Sequence, residues 1–342
     1  MLKINREKLP ELFAKISESD ELYLPIERNG KIDFFKWSEG AEVRLDELHT
    51  NRSPKDLFFP QTENLMGFKM DGKKIEIVDL RDDTKDFVVF GVRACDAKSF
   101  EVLDRVFLSD PVDSYYKSRR DKGTVVTMAC SAPEETCFCG VFGIDPTEPC
   151  GDAVTYLTED GLFFEGKTEK GKALEGKISA LFEDADTAEV EAQKAATKEI
   201  CEKLPLNGLS LDGFGSEDVL LDKFNSPEWA SLSEACLGCG TCTFVCPTCQ
   251  CYDIKDFDTG SGVRRYRCWD SCMYSDFTMM AAGNNRTSQM QRFRQRFMHK
   301  LAYFPANYDG MFSCVGCGRC VDKCPSHLNI VKVIKAFEKE GK

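Results

Sequence analysis

Histidine and tryptophan are scarce in this chain, three of each in 342 residues. His49, His299 and His327 are scattered, and none falls in a zinc-protease helix or a recognisable catalytic triad. Positive charge is in the minority: 45 lysines and arginines face 57 acidic residues, for a net charge of −12. That balance argues against nucleic acid as a partner, because phosphate binding needs a basic footprint. Apolar runs are short. None approaches the roughly 20 residues of a membrane span; Phe87 to Val92 is about the longest. The opening MLKINREKLPELF lacks the continuous apolar stretch of a secretory leader. The expectation is a cytoplasmic protein with no membrane span. No complete G-x-G-x-x-G follows a strand, so no dinucleotide fold is announced. One stretch, GLFFEGKT at 161–168, matches the P-loop pattern. Its middle residues Leu, Phe, Phe and Glu read as a strand, so a hairpin fits better than a phosphate-cradling loop.

Cysteine is what the chain has in quantity, 18 in all. Without a leader these read as cytosolic metal ligands rather than disulfides. Eight of them stand in two near-identical runs, CLGCGTCTFVCPT at 236–248 and CVGCGRCVDKCPS at 314–326. Each is C-x2-C-x2-C-x3-C followed by proline, the run that holds a cubane iron–sulfur cluster. Such clusters are soft and take thiolates. Three cysteines at x2 intervals let a tight loop wrap one cluster, with Gly238, Gly240, Gly316 and Gly318 supplying backbone freedom. In two-cluster ferredoxins the fourth cysteine ligates the other cluster. This assigns cluster A to Cys236, Cys239, Cys242 and Cys324, and cluster B to Cys314, Cys317, Cys320 and Cys246. Structural zinc prefers two separated C-x2-C knuckles, which four cysteines in one short run suit badly.

The remaining patterning predicts two domains. Residues 1–220 read as an α/β domain with a mixed sheet. Leu9, Leu12, Phe13 and Ile16 share one helix face, strands fall at 22–26, 32–37 and 75–80, and Phe87 to Val92 is a buried strand. A turn at Arg93 to Asp96, with Asp96 as a cap, leads to a helix at 97–107. Another helix at 115–122, a strand at 124–128 and a hairpin around Asp160-Gly161 follow. Helices at 172–182 and 187–203 precede a Gly-rich linker at 207–215. Residues 221–342 read as a C-terminal α-helical, ferredoxin-like two-cluster domain with a long insert at 247–313. The insert carries a helix at 287–304 with Met290, Phe293, Phe297 and Leu301 on its apolar face. Arg292 and Arg296 lie on the other side, either as a solvated face or as cations that raise cluster potentials or dock an acidic partner.

Ten cysteines lie outside the two runs. Cys95, Cys130, Cys137 and Cys139 fall in loops after two predicted strands, where α/β sheets build sites. They could hold a third cluster or be buried apolar thiols. Cys249, Cys251, Cys268 and Cys272 could bind a further cluster or a zinc ion, or be plain thiols packed beside the two runs' clusters. Cys150 and Cys201 have no partners at metal spacing and read as structural. The count is two cubanes, three with the N-terminal set and four with the insert set.

Several blocks together resemble a known family: GVRACD at 91–96, TCFC at 136–139, CPTCQC at 246–251, WDSC at 269–272 and RFRQRFMHKLAYFP at 292–305. They are similar to the 4Fe-4S dicluster family that includes an iron–sulfur subunit of anaerobic sulfite reductase and the beta subunit of cytoplasmic sulfhydrogenases. The resemblance runs from about residue 50 onward. It implies an electron-transfer subunit of an oxidoreductase complex of anaerobic metabolism. Such a protein would relay electrons between a flavin- and NAD(P)H-binding subunit and a terminal reductase or hydrogenase subunit, and would itself carry no catalytic residue. The ending CPSHLNIVKVIKAF looks less like the sulfite reductase subunits than like other members. Two alternatives stand beside the relay: a reductase with an open-coordination cluster acting on substrate directly, and a zinc-stabilised interaction protein.

Overall fold

The computed structural model describes residues 1–80, 84–215 and 220–340. Twelve strands build its two main sheets. They are β1 (Leu2–Asn5), β2 (Glu21–Arg28), β3 (Lys31–Lys36), β4 (Thr62–Asp71), β5 (Lys74–Asp79), β6 (Phe87–Val92), β7 (Gly123–Met128), β8 (Ala153–Leu157), β9 (Gly161–Gly166), β10 (Glu183–Asp184), β11 (Tyr252–Asp258) and β12 (Gly262–Trp269). The larger sheet has the order β10-β1-β9-β8-β7-β6-β2-β3. Its centre, β2-β6-β7-β8, is parallel and its flanks are antiparallel.

All six residues of β6 are buried, as expected of a central parallel strand covered on both faces. The period-2 alternation of strands divides them between two cores. Val88 and Phe90 join Val126 and Met128 under the helices Leu9–Ser17 and Glu169–Ile178. Phe87 and Val89 join Val125 on the other face, under the helix Ala94–Phe107. This is the mixed α/β sheet that the periodicity predicts, and the stretch GLFFEG of the P-loop match is strand β9.

One junction differs. The expected turn at Arg93 to Asp96 is the start of the helix itself, with Arg93 as its N-cap. Asp96 therefore sits inside the first turn and does not cap it. Its buried carboxylate takes a bidentate bond from Arg319 instead, at 2.6 and 2.7 Å. A tertiary partner from the far end of the chain outweighs the local capping preference.

The smaller sheet, β11-β12-β4-β5, is antiparallel throughout. It unites a hairpin from the N-terminal region with one from the insert, and so spans the boundary expected near residue 220. Buried Arg267 of β12 pinned to Glu63 of β4 at 2.9 Å, and the Trp269 indole bonded to the Phe59 carbonyl at 3.0 Å, tie the two regions. A helical core closes the C-terminal part: Trp229, Phe293, Phe297, Leu301, Ile334 and Phe337 pack together. The helix expected at 287–304 starts at a capping box of Ser288 and Gln291 and runs Gln289–Met298. It then widens through a π-type turn, His299–Tyr303. Among the described residues, no helix is long and apolar enough to cross a membrane.

Candidate metal centres

The first run wraps a small cavity. Cys236, Cys239 and Cys242 line it together with Cys324 of the other run. Donors point at these sulfurs: Leu328 N at 3.2 Å from Cys324 Sγ, and Gln289 Nε2 at 3.6 Å from Cys236 Sγ. The Thr241 hydroxyl lies 3.4 Å from Cys239 Sγ. Cys239 is exposed, so this site reaches the surface.

The second run lies deeper. Cys314, Cys317 and Cys320 stand close enough to Cys246 that its charge acts on the ionisation of all three. Burial pushes Cys314 up to about 12 and raises Cys317 and Cys320 as well. Cys246 moves the opposite way, well below the usual thiol range. A hydrogen bond with the Cys249 thiol does this, helped by Lys300 and Arg296 against the effect of burial. Thiolates gathered in a low-dielectric interior are costly unless positive charge compensates them.

Three buried cations supply part of that compensation. Lys300 donates to Thr248 Oγ1 at 2.7 Å and to the Ser313 carbonyl at 2.9 Å. Arg296 donates to the Cys242 carbonyl at 2.8 Å. Lys55 donates to the carbonyls of Cys246 and Cys249 at 3.0 and 2.9 Å, with its ammonium over the Trp269 ring. The solvated-face reading thus fails for Arg296, which is 2 % exposed. Residues four apart on a helix share a face, so Arg296 and Lys300 both turn toward the thiols. Arg292 is held by the Arg286 carbonyl and Gln289.

The second run is docked on the N-terminal region without space to spare. Phe138 N bonds to the Gly316 carbonyl at 3.0 Å. A Cβ on Gly316 would stand 2.4 Å from the Phe138 carbonyl oxygen, and one on Gly318 2.6 Å from that of Thr136. Only glycine permits this approach at the positive φ of both positions. The Asp96–Arg319 pair completes the joint, both side chains being 2 % exposed.

Against this joint lies a cavity of about 40 Å³, roughly three times what one water needs. Cys95, Cys130, Cys137 and Cys139 all line it, as do Cys201 and Cys317. The ends of β6 and β7 deliver Cys95 and Cys130. Arg93 ties their loops, donating to the carbonyls of Ala129, Leu45 and Glu47. Burial pushes Cys137 and Cys139 up to about 12.

The insert cysteines are not gathered as a foursome. Cys251 and Cys272 are hydrogen-bonded to each other and Cys249 neighbours Cys272. Cys268 lies on β12 opposite Asp253, away from them. Among the described residues, no three His, Cys, Asp or Glu side chains converge as they would on a single ion. The donors fit cubanes in character: soft thiolates ringing cavities, glycine-lined loops, hydrogen bonds to sulfur and buried positive charge.

Sequence reasoning missed Lys55, Lys300, Arg319 and Cys201. For Lys300 a signal existed, its place four residues after Arg296. For Cys201 the signal was helical spacing with Val190 and Thr197, both fully buried. Lys55 and Arg319 carry no local signal, since their partners are distant in the chain.

The family described as 4Fe-4S dicluster domain matches residues 235–328. Along nearly its whole length the chain is similar to sulfhydrogenase 2 subunit beta of Pyrococcus furiosus. The two are 33% identical over 339 residues, which is 97% of each. No solved structure matches the chain.

Proposed function

The chain belongs to the family of 4Fe-4S dicluster electron-transfer subunits of the sulfhydrogenase beta type, and on that premise we propose that it carries electrons in a row of three cubanes. The observation that supports the row is shared lining. Cys317 of the second run also borders the N-terminal cavity, and Cys246, the fourth cysteine of the first run, stands beside Cys314, Cys317 and Cys320. The order is then N-terminal cavity, second run, first run. Exposed Cys239 lies at one end, and the loop 133–139 next to the surface lies at the other.

Bound cubanes supply one-electron capacity at potentials within roughly −700 to +450 mV. The chain's own residues do the rest. The three thiol sets hold the positions, and the apolar cores around Phe293, Phe297 and Phe138 exclude water. Lys55, Arg296 and Lys300 favour added negative charge in the middle of the row. The partners we infer are a flavin- and NAD(P)H-binding subunit on one side and a terminal reductase or hydrogenase subunit on the other, in a cytoplasmic complex.

Iron and acid-labile sulfide per chain, after strictly anaerobic purification, test this. About twelve of each supports three cubanes; near-zero iron with several zincs sinks the relay. Proteins co-purifying from the native host identify the neighbours. A second reading, a reductase with an open iron, draws on the three thiols Cys249, Cys251 and Cys272, which Cys268 does not join. Substrate-dependent shifts in the paramagnetic spectrum would favour it.

A further inference from the structure

The N-terminal cavity offers five cysteines of its own where a cubane needs four. We propose that Cys130, Cys137, Cys139 and Cys201 are the ligands, and that Cys95 is a free thiol between this site and the second run. The inference rests on the three-cluster reading above and names the ligand set of its N-terminal member.

Two observations separate the five. The first is the helix Ala188–Glu202. Its Thr197 is fully buried and donates to the Cys130 carbonyl at 3.2 Å. Cys201 follows four residues later, on the same face and one turn on. Val190, seven residues before Thr197, is also fully buried, packed against Ala129, Val154 and Tyr156, so one stripe of this helix is turned inward and Cys201 ends it at the cavity. Cys130, Cys137, Cys139 and Cys201 thus line one cavity, brought there from three separate segments of the chain.

The second observation is where Cys95 packs. It shares a cluster with Ala94, Ile144, Val315 and Cys317, whereas Cys130 and Cys137 pack with Leu48 and Leu204; Cys139 packs against the Cys95 cluster from the cavity side and bridges the two groups. Leu204 is three residues beyond Cys201, and its N–H bonds to the Cys201 carbonyl at 3.2 Å. Asp96 is locked to Arg319 of the second run, which holds its neighbour Cys95 on the Cys317 side. Sequence spacing favoured Cys95 because it follows a strand end. The fold brings Cys201 in from a helix.

The test compares wild type, Cys201→Ala and Cys95→Ala, each purified anaerobically as the full chain. Wild type should hold about twelve irons and Cys95→Ala the same, while Cys201→Ala falls by a third to about eight. Cys201→Ala retaining twelve, or Cys95→Ala falling to eight, overturns the assignment alone. A wild type with only eight irons overturns the three-cluster reading itself. Should Cys201→Ala not fold, alkylation of the wild-type holoprotein decides. Cys201 is half-buried, so as a free thiol it would react with iodoacetamide, as exposed Cys150 should. As a ligand it stays unmodified until a chelator strips the iron. Modification of Cys201 in the twelve-iron protein refutes the proposal.

Discussion

Replacing Lys300 by methionine removes a buried charge while keeping a flexible stem of similar length. The ammonium is 2.7 Å from Thr248 Oγ1, which is itself 3.2 Å from Cys246 Sγ, so nitrogen and sulfur lie within roughly 6 Å. At an effective dielectric of about 20, unit charges about 6 Å apart interact by roughly 2.8 kcal/mol. For a one-electron couple that is about 120 mV. Reduction adds negative charge to the site, and a nearby cation favours it. Losing the cation must therefore lower the midpoint. Lys300→Met should lower the potential of the cluster held by Cys314, Cys317, Cys320 and Cys246 by about 100 mV, and Lys300→Arg should largely restore it. The assay is a potentiometric titration followed by electron paramagnetic resonance, on protein whose iron content matches wild type. An upward shift, or a midpoint unmoved at matched iron, refutes the argument that buried cations set this potential.

Replacing Cys324 should damage the site of the first run, because Cys324 shares a cavity with Cys236, Cys239 and Cys242; loss confined to the site of its own run, by spectroscopy of the remaining clusters, contradicts the crossing. Asp96→Ala leaves Arg319 buried without its carboxylate. Breaking such a pair costs about 3–5 kcal/mol, so the urea midpoint should fall, and an unchanged midpoint would mean the joint does not depend on the pair. His299 is lowered to about 4 by burial, with Lys300 and Arg286 adding to the effect. Its folded value lies below the unfolded one of about 6.5. The stability it permits is present above pH 6.5 and is lost as pH falls toward 4, so His299→Gln should flatten the acid limb of an unfolding-versus-pH curve in that window. An acid limb identical to wild type counts against it.

Much of the α/β region was legible because its signals are local. The buried run Phe87 to Val92, the apolar stripe of Leu12, Phe13 and Ile16, and the hairpin at Asp160-Gly161 each express a strand or helix period within a few residues. The smaller sheet was only partly legible. Residues 75–80 read as a strand, but β11 is mostly exposed and β12 mostly half-buried, and the partner strand β4 lies about two hundred residues away. The insert helix was placed correctly, and its widening at His299–Tyr303 was not, since a π-type turn leaves the apolar spacing almost unchanged.

The sequence by itself determined the chemistry. Two C-x2-C-x2-C-x3-C-P runs specify soft thiolate ligation of iron–sulfur cubanes, because ligand type and loop reach are written in the spacing of neighbours. Tertiary structure alone decided the company those thiols keep. It brought Cys201 to the cavity of Cys130, Cys137 and Cys139. It buried Lys55, Arg296 and Lys300 beside Cys246, and it locked Arg319 to Asp96. Which cations and thiols share one low-dielectric volume depends on contacts between residues far apart in the chain, and no local period encodes those.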